Sequence, residues 1–228
     1  KDYANNRMNN RGNKLAYWTD GADNGSTFTV ELRNDEAELL AALAEAQELV
    51  NSITGEGVGY ATSASIKAVQ DAIDAKDLAA LQNAVAAIET IQPENGKFYT
   101  IASACADGRE GKMIYVNTGG GMNFNTAGTD LGYLFQFEAA GDGKFYMYNV
   151  AKDRYLSTAK AHNGGQEESL AEETTGAKKV TIKNLGRENV VGLWPEGGAM
   201  IHAEAATGNV VAWNNEENNN GSAWRIVE

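Results

Sequence analysis

Gly96-Lys97-Phe98-Tyr99 returns 47 residues later as Gly143-Lys144-Phe145-Tyr146, and Asn189-Val190-Val191-Gly192-Leu193 forms a weaker third copy after a further shift of about 45. The same spacing brings back a second short apolar run, Met113-Ile114-Tyr115, Tyr155-Leu156-Ser157 and Met200-Ile201-His202. A closing run follows in each unit: Leu134-Phe135-Gln136-Phe137, Val180-Thr181-Ile182 and Trp224-Arg225-Ile226. Between these runs lie Gly, Asn and Asp, the residues that turn a chain tightly.

Three units of 44 to 47 residues thus account for residues 96–228. Units of this length with four short strands fit either propeller blades or trefoil lobes, but a propeller needs typically four or more blades. Three units predict an all-β trefoil, in which no lobe can bury its apolar face alone.

Working outward, residues 34–95 hold a helical block. Leu39, Leu43, Ala46, Val50 and Ile53 form one stripe at spacings of three and four, Ile66, Val69 and Ile73 a second, and Leu78, Leu81, Val85, Ile88 and Ile91 a third. The stripes predict a three-helix bundle whose apolar faces are used up in packing against one another. Asp35 with Glu38 fits a capping box, Ser63 or Ser65 can cap the second helix and Asp77 the third. Gly55, Gly57 and Gly59 separate the first two helices.

Residues 1–33 carry a further echo. Gly12-Asn13-Lys14-Leu15-Ala16-Tyr17 through Asn24-Gly25-Ser26-Thr27-Phe28 aligns without gaps, at a shift of 196, to Gly208-Asn209-Val210-Val211-Ala212-Trp213 through Asn220-Gly221-Ser222-Ala223-Trp224. This segment reads as the end of a preceding trefoil, a remnant with a β-hairpin over Lys14 to Leu32. The fold class expected is therefore multidomain α and β: hairpin remnant, three-helix bundle, trefoil. The chain opens on Lys1 instead of Met, which reads as a piece of a larger or processed protein.

Composition narrows the functions. A net charge of −12 over 228 residues repels phosphate backbones, and no Lys or Arg cluster interleaved with aromatics offsets it, so nucleic acid is not an expected partner. No apolar run approaches the roughly 18 to 20 residues of a membrane-spanning helix. The single Cys105 builds neither an intrachain disulfide nor a zinc site, and His162 and His202 are the only histidines. There is no nucleophile elbow, phosphate loop or His-Glu-x-x-His arrangement, so neither catalysis nor a cofactor or metal is expected. Glu167, Glu168, Glu172 and Glu173 read as a solvated acidic loop, and Glu216 and Glu217 lack the Asp-x-Asp-x-Asp spacing of a calcium loop.

Asn209-Val210-Val211-Ala212-Trp213, followed by a polar loop and Ser222-Ala223-Trp224, resembles the ricin-type (R-type) lectin family of β-trefoil carbohydrate-binding domains. Trp224 stands where that family closes a lobe with Gln-x-Trp; Ser222 replaces the Gln, and the other lobes carry Tyr133 with Phe135 and Lys178 with Val180. The helical block, with Gly55-Glu56-Gly57-Val58-Gly59-Tyr60, resembles the FIVAR-like spacers of secreted bacterial surface and carbohydrate-active proteins. The resemblance implies a non-catalytic carbohydrate-binding module, secreted or at a bacterial cell surface, with a glycan or polysaccharide and the other domains of a parent protein as partners. The alternative is a structural or protein-interaction module that binds no sugar.

A sugar site combines a flat aromatic face with amides or carboxylates that satisfy hydroxyls. By the resemblance, the third lobe supplies Trp213, Asn214, Asn215, Asn220 and Glu196, and the first lobe Asp107, Phe124 and Asn125. The second lobe keeps Asp153 but has Leu170 where an aromatic is needed, which makes it the least favoured. The other reading of Trp213 is that it fills a position shared with Tyr17 and Phe124 in every repeat. Trp224 is read as a core residue, and Trp194 is left open.

Overall fold

The computed structural model describes residues 7–10, 14–18, 35–157, 160–161, 170–171, 174–197, 199–213 and 220–228. The chain divides into two compact units, Lys1–Glu38 and Leu39–Glu228. In the first, β1 (Arg7–Asn10) pairs antiparallel with β2 (Leu15–Trp18), Met8 opposite Tyr17. The described hairpin joins Leu15–Trp18 to the upstream segment; the expected hairpin over Lys14 to Leu32 runs into residues 19–34, with Phe28 and Val30, which lie outside the described residues.

The helices are α1 (Asp35–Ile53), α2 (Ser63–Ala75) and α3 (Leu78–Ala86). Within the second unit, Ala46 and Val50 of α1 are buried against Val69 and Ala72 of α2 and Leu81 of α3, as the stripes predict. Asp77 caps α3 by accepting from the Ala80 amide at 3.0 Å. At α2 the cap is Thr62, not Ser63 or Ser65: its extended backbone lets Oγ1 accept from the Ser65 amide. Ser65 is committed elsewhere, its Oγ accepting from the Glu89 amide at 2.9 Å. The Asp35 side chain lies outside the described ones.

Twelve of the remaining strands build the trefoil. β3 (Thr100–Ser103), β6 (Phe135–Gly141), β7 (Lys144–Asn149), β11 (Lys179–Asn184), β12 (Val191–Pro195) and β15 (Trp224–Val227) close into a barrel in the cyclic order β3-β6-β7-β11-β12-β15. Closure gives each of these six barrel strands a neighbour on both sides. The hairpins are β4 (Met113–Val116) with β5 (Met122–Asn125), β8 (Arg154–Leu156) with β10 (Leu170–Ala171), and β13 (Met200–Glu204) with β14 (Asn209–Trp213). Between the second-lobe strands, β9 (Lys160–Ala161) pairs parallel with β14.

Register shows the threefold repeat directly. Within the lobes the barrel pairs are Tyr99 with Phe135, Phe145 with Val180 and Val191 with Trp224. Between lobes they are Phe137 with Met147, Ile182 with Leu193 and Ile226 with Ile101. All twelve side chains belong to one buried core. The frame is 46 residues, however, and not the 47 of the tetrapeptide: Tyr99 corresponds to Phe145, so Lys97 and Lys144 are not equivalent. Burial agrees, since Phe98 is 50% exposed and Phe145 only 8%. A one-residue slip exchanges the faces of a strand, so these two phenylalanines have opposite fates.

The turn between the first two helices also joins the helical block to the barrel. Val58, in the glycine-rich turn, is 4% exposed and belongs to the barrel core. Next to it, Gly59 sits at φ +92° with its backbone against Val191 and Asn189, where a Cβ would approach Val191 Cγ1 to 2.7 Å. Asn184 Nδ2 donates to the Gly59 carbonyl at 2.7 Å and the Gly59 amide to the Ile91 carbonyl at 2.9 Å. The helices are thereby keyed to the barrel.

Candidate functional site

The third lobe places Trp213 at the end of β14, opposite Met200, with its ring partly exposed. His202, two residues further along β13, lies beneath it: the rings stack at 5.1 Å between centroids and 24° between planes. The imidazole is itself buried, and Nδ1 is 3.0 Å from the buried Ser222 hydroxyl. A Cβ on Gly221 would meet the His202 ring at 2.2 Å, so the closing loop passes over the imidazole only because glycine stands there. His202, which the sequence offered only as a repeat position, thus fixes the plane of Trp213.

Asp107 is not a free ligand group. Its carboxylate accepts from Arg109 Nε at 2.7 Å and from Arg109 Nη2, and Arg109 Nη1 donates onward to the Ala203 carbonyl on β13. The guanidinium, with a hydrogen bond from Cys105, holds this carboxyl far below the usual carboxylate range. Burial raises the Cys105 thiol, which describes an inert buried sulfur and not a nucleophile. Glu196 is exposed on the β12–β13 turn and paired with Lys144 at 2.7 Å, which lowers its carboxyl.

Phe124 has to be corrected. It is 6% exposed, paired with Ile114 and packed in the barrel core, because Met122 and Phe124 point inward while Asn123 and Asn125 alternate outward. No sugar face can reach a buried ring. Nor do Phe124 and Trp213 share a position: opposite the equivalent Ile114, Leu156 and Ile201 stand Phe124, Leu170 and Ala212, so Trp213 corresponds to the exposed Asn125. Asn214 and Asn215 lie outside the described residues, as do Glu216, Glu217, Glu167, Glu168, Glu172 and Glu173; Asn220 is described only by its backbone, in a 3-10 turn.

Trp224 is fully buried and donates Nε1–H to the Ile201 carbonyl at 2.8 Å, a core residue as expected. Trp194 packs over Gly192, where a Cβ would strike its ring at 2.3 Å, with the Lys183 ammonium 5.5 Å above it.

The second lobe holds what the sequence reading missed. On the outward face of its sheet, Tyr148 and Tyr155 lie 5.2 Å apart and Tyr146 and Tyr155 6.2 Å apart, all partly exposed. Tyr148 donates to Asp153 at 2.6 Å and Tyr155 to Glu138 at 3.0 Å. The alternation Phe145-Tyr146-Met147-Tyr148 was the available signal. A separate groove of 620 Å³ between helices and barrel is lined by Leu49, Ile53, Val85, Ile88 and Ile182 together with the polar Glu89, Gln92 and Asn184, and has no aromatic ring in its lining.

No family model matches the chain, and no curated protein does. Among solved structures it is similar to the designed three-fold symmetric protein ThreeFoil, at 16% identity and TM-score 0.46, over 57% of this chain and 98% of that one. It is similar to a Polyporus squamosus lectin solved with a human-type influenza-binding epitope, at 20% identity and TM-score 0.48, over 60% of this chain and 49% of that one. A Macrolepiota procera ricin B-like lectin solved with lactose is similar at 14% identity and TM-score 0.49, over 60% of this chain and 99% of that one. The chain therefore spans about half of the Polyporus lectin and nearly all of the other two. No described helix is long and apolar enough to cross a membrane, and no group of three metal-ligating side chains occurs among the described residues.

Proposed function

We propose that the trefoil is a non-catalytic carbohydrate-binding module of a secreted or cell-surface bacterial glycan-acting protein, with the FIVAR-like helical block holding it at a fixed attitude. The observation that carries this reading is Trp213, an indole partly open to solvent and braced from beneath by a buried histidine. A braced ring pays no rotamer entropy when a pyranose face stacks on it, and the amide-rich segment that follows in sequence supplies hydroxyl partners.

The test is a glycan array probed with the full chain and with Trp213→Ala. The variant should lose tenfold or more in binding to whichever glycans the native chain retains, since a stacked face contributes on the order of 1 kcal/mol beyond burial. Its thermal midpoint should stay close to that of the native protein. Unchanged glycan binding by the variant discards the third-lobe site, and no binding by the native chain favours the structural or protein-interaction alternative.

A further inference from the structure

The outward positions of the second-lobe barrel wall form a surface that the fold does not require. Glu138 on β6 is directly opposite Tyr146 on β7, Gln136 is opposite Tyr148, and Tyr155 on β8 is opposite Tyr148 on the other side. In the first lobe the positions equivalent to Tyr146, Tyr148 and Tyr155 are Thr100, Ala102 and Met113, and in the third they are Gly192, Trp194 and Met200. Two lobes thus build the same barrel without a tyrosine at any of these places, and the third lobe covers its wall with its own Trp194. Three partly exposed tyrosines here answer to something other than barrel closure.

Their hydrogen bonding says what. Both Tyr148 and Tyr155 give their hydroxyl protons to carboxylates, Asp153 and Glu138, so each phenol oxygen faces a ligand as an acceptor, and each carboxylate keeps acceptor capacity. Adjoining Glu138 is a shallow depression of 360 Å³ lined by Asn95, Gly96, Gln136, Glu138 and Ala139, where Gln136 donates one amide proton to the Gly96 carbonyl and has a second to give. The surface pairs aromatic area with acceptors, the complement of a ring that has C–H groups on one face and O–H donors around its edge. Lys144 is neutralised by Glu196, and Lys179 stands at the far edge, opposite Tyr146. A ligand carboxylate or sulfate would face Glu138 and Asp153.

We propose that this β6–β7–β8 wall is a second glycan-binding face, separate from Trp213 and selective for neutral, hydroxyl-rich saccharides. It rests on the carbohydrate reading of the domain and deepens it by naming a site and a charge class.

The test is affinity electrophoresis of the full chain through gels containing galactomannan or arabinoxylan, both neutral, or polygalacturonate. Native protein should be retarded by at least one neutral polymer and not by polygalacturonate. Tyr148→Ala should weaken the retardation at least fivefold. Glu138→Gln and Tyr155→Phe, which keep side-chain volume and cannot be mistaken for unfolding, should weaken it about threefold, while Trp213→Ala retains measurable binding. If all three second-lobe variants behave as native, the second face is overturned; if Trp213→Ala alone then abolishes retardation, the carbohydrate reading survives without it. Equal retardation by polygalacturonate overturns the charge selectivity, and no retardation of native protein by either neutral polymer overturns the proposal outright.

Discussion

The second and third lobes fill the same barrel with opposite choices. At the intralobe pair the second lobe sets a large Phe145 against a small Val180, and the third sets a small Val191 against a large Trp224. All four are buried, at 8% exposure or less. The large member of the pair stands on the first strand in one lobe and on the closing strand in the other, as expected where the core constrains packing and not residue identity. Outside the barrel the lobes diverge again: the third folds Trp194 onto Gly192, and the second leaves three tyrosines partly open. The closing aromatic of a lobe therefore reports on the core, and says nothing about whether that lobe presents a ligand surface.

The sharpest way to break this comparison is to empty the large member in one lobe and the small one in the other. Trp224→Ala removes a fully buried indole and its bond to the Ile201 carbonyl, and should cost about 3–5 kcal/mol. Val180→Ala, at the equivalent place, removes two methyl groups and should cost about 2 kcal/mol. Chemical denaturation with an unchanged denaturant slope measures both. Equal losses would mean that the closing-strand position carries the same weight whichever side chain fills it.

A second pair of variants tests the frame in which the lobes are compared. Phe145→Ala should destabilise by about 3 kcal/mol or more, because the ring packs in the barrel core in edge contact with Phe137. Phe98→Ala, at the matching place of the sequence repeat, should stay within about 0.5 kcal/mol of native. If the two losses were alike, the 47-residue frame would be right and the 46-residue frame wrong.

That frame marks the boundary of what the sequence could teach. Repeat number, helical stripes and the Asp77 cap were legible, because each rests on periodicity or local chemistry that survives without knowledge of partners. The frame was not, because one tetrapeptide serves two roles. At Gly96 it precedes its strand, which begins at Thr100; at Gly143 it closes a tight turn through Gly141 and Asp142, both at positive φ, beside a register shift in β6. The same one-residue error set Phe124 beside Trp213, although one is core and the other surface. Looking for an aromatic only at Leu170 also hid the tyrosines, which come from the barrel strand and from β8. His202 was illegible for a different reason: stacking under Trp213 joins two strands, and no local pattern encodes it.

The smallest effect separates the outer walls of the two lobes by titration. Tyr148 is pushed up to about 12, first by its hydrogen bond to Asp153 and then by burial, whereas Trp194 at the equivalent third-lobe position has no proton to lose in that range. Because the folded value lies above the unfolded one near 10, the neutral phenol is the form that folding favours. Its stabilisation is fully present below pH 10 and is lost as pH rises through 12. Tyr148→Phe should thus lower stability slightly at pH 8, and the gap between variant and native protein should close between pH 10 and 12. In parallel, the tyrosinate absorbance of the variant should lack a component that titrates near pH 12 in the native chain. A missing component near pH 10 instead would mean that the Tyr148–Asp153 bond does not persist in solution, and the acceptor geometry of the second-lobe wall would lose its support.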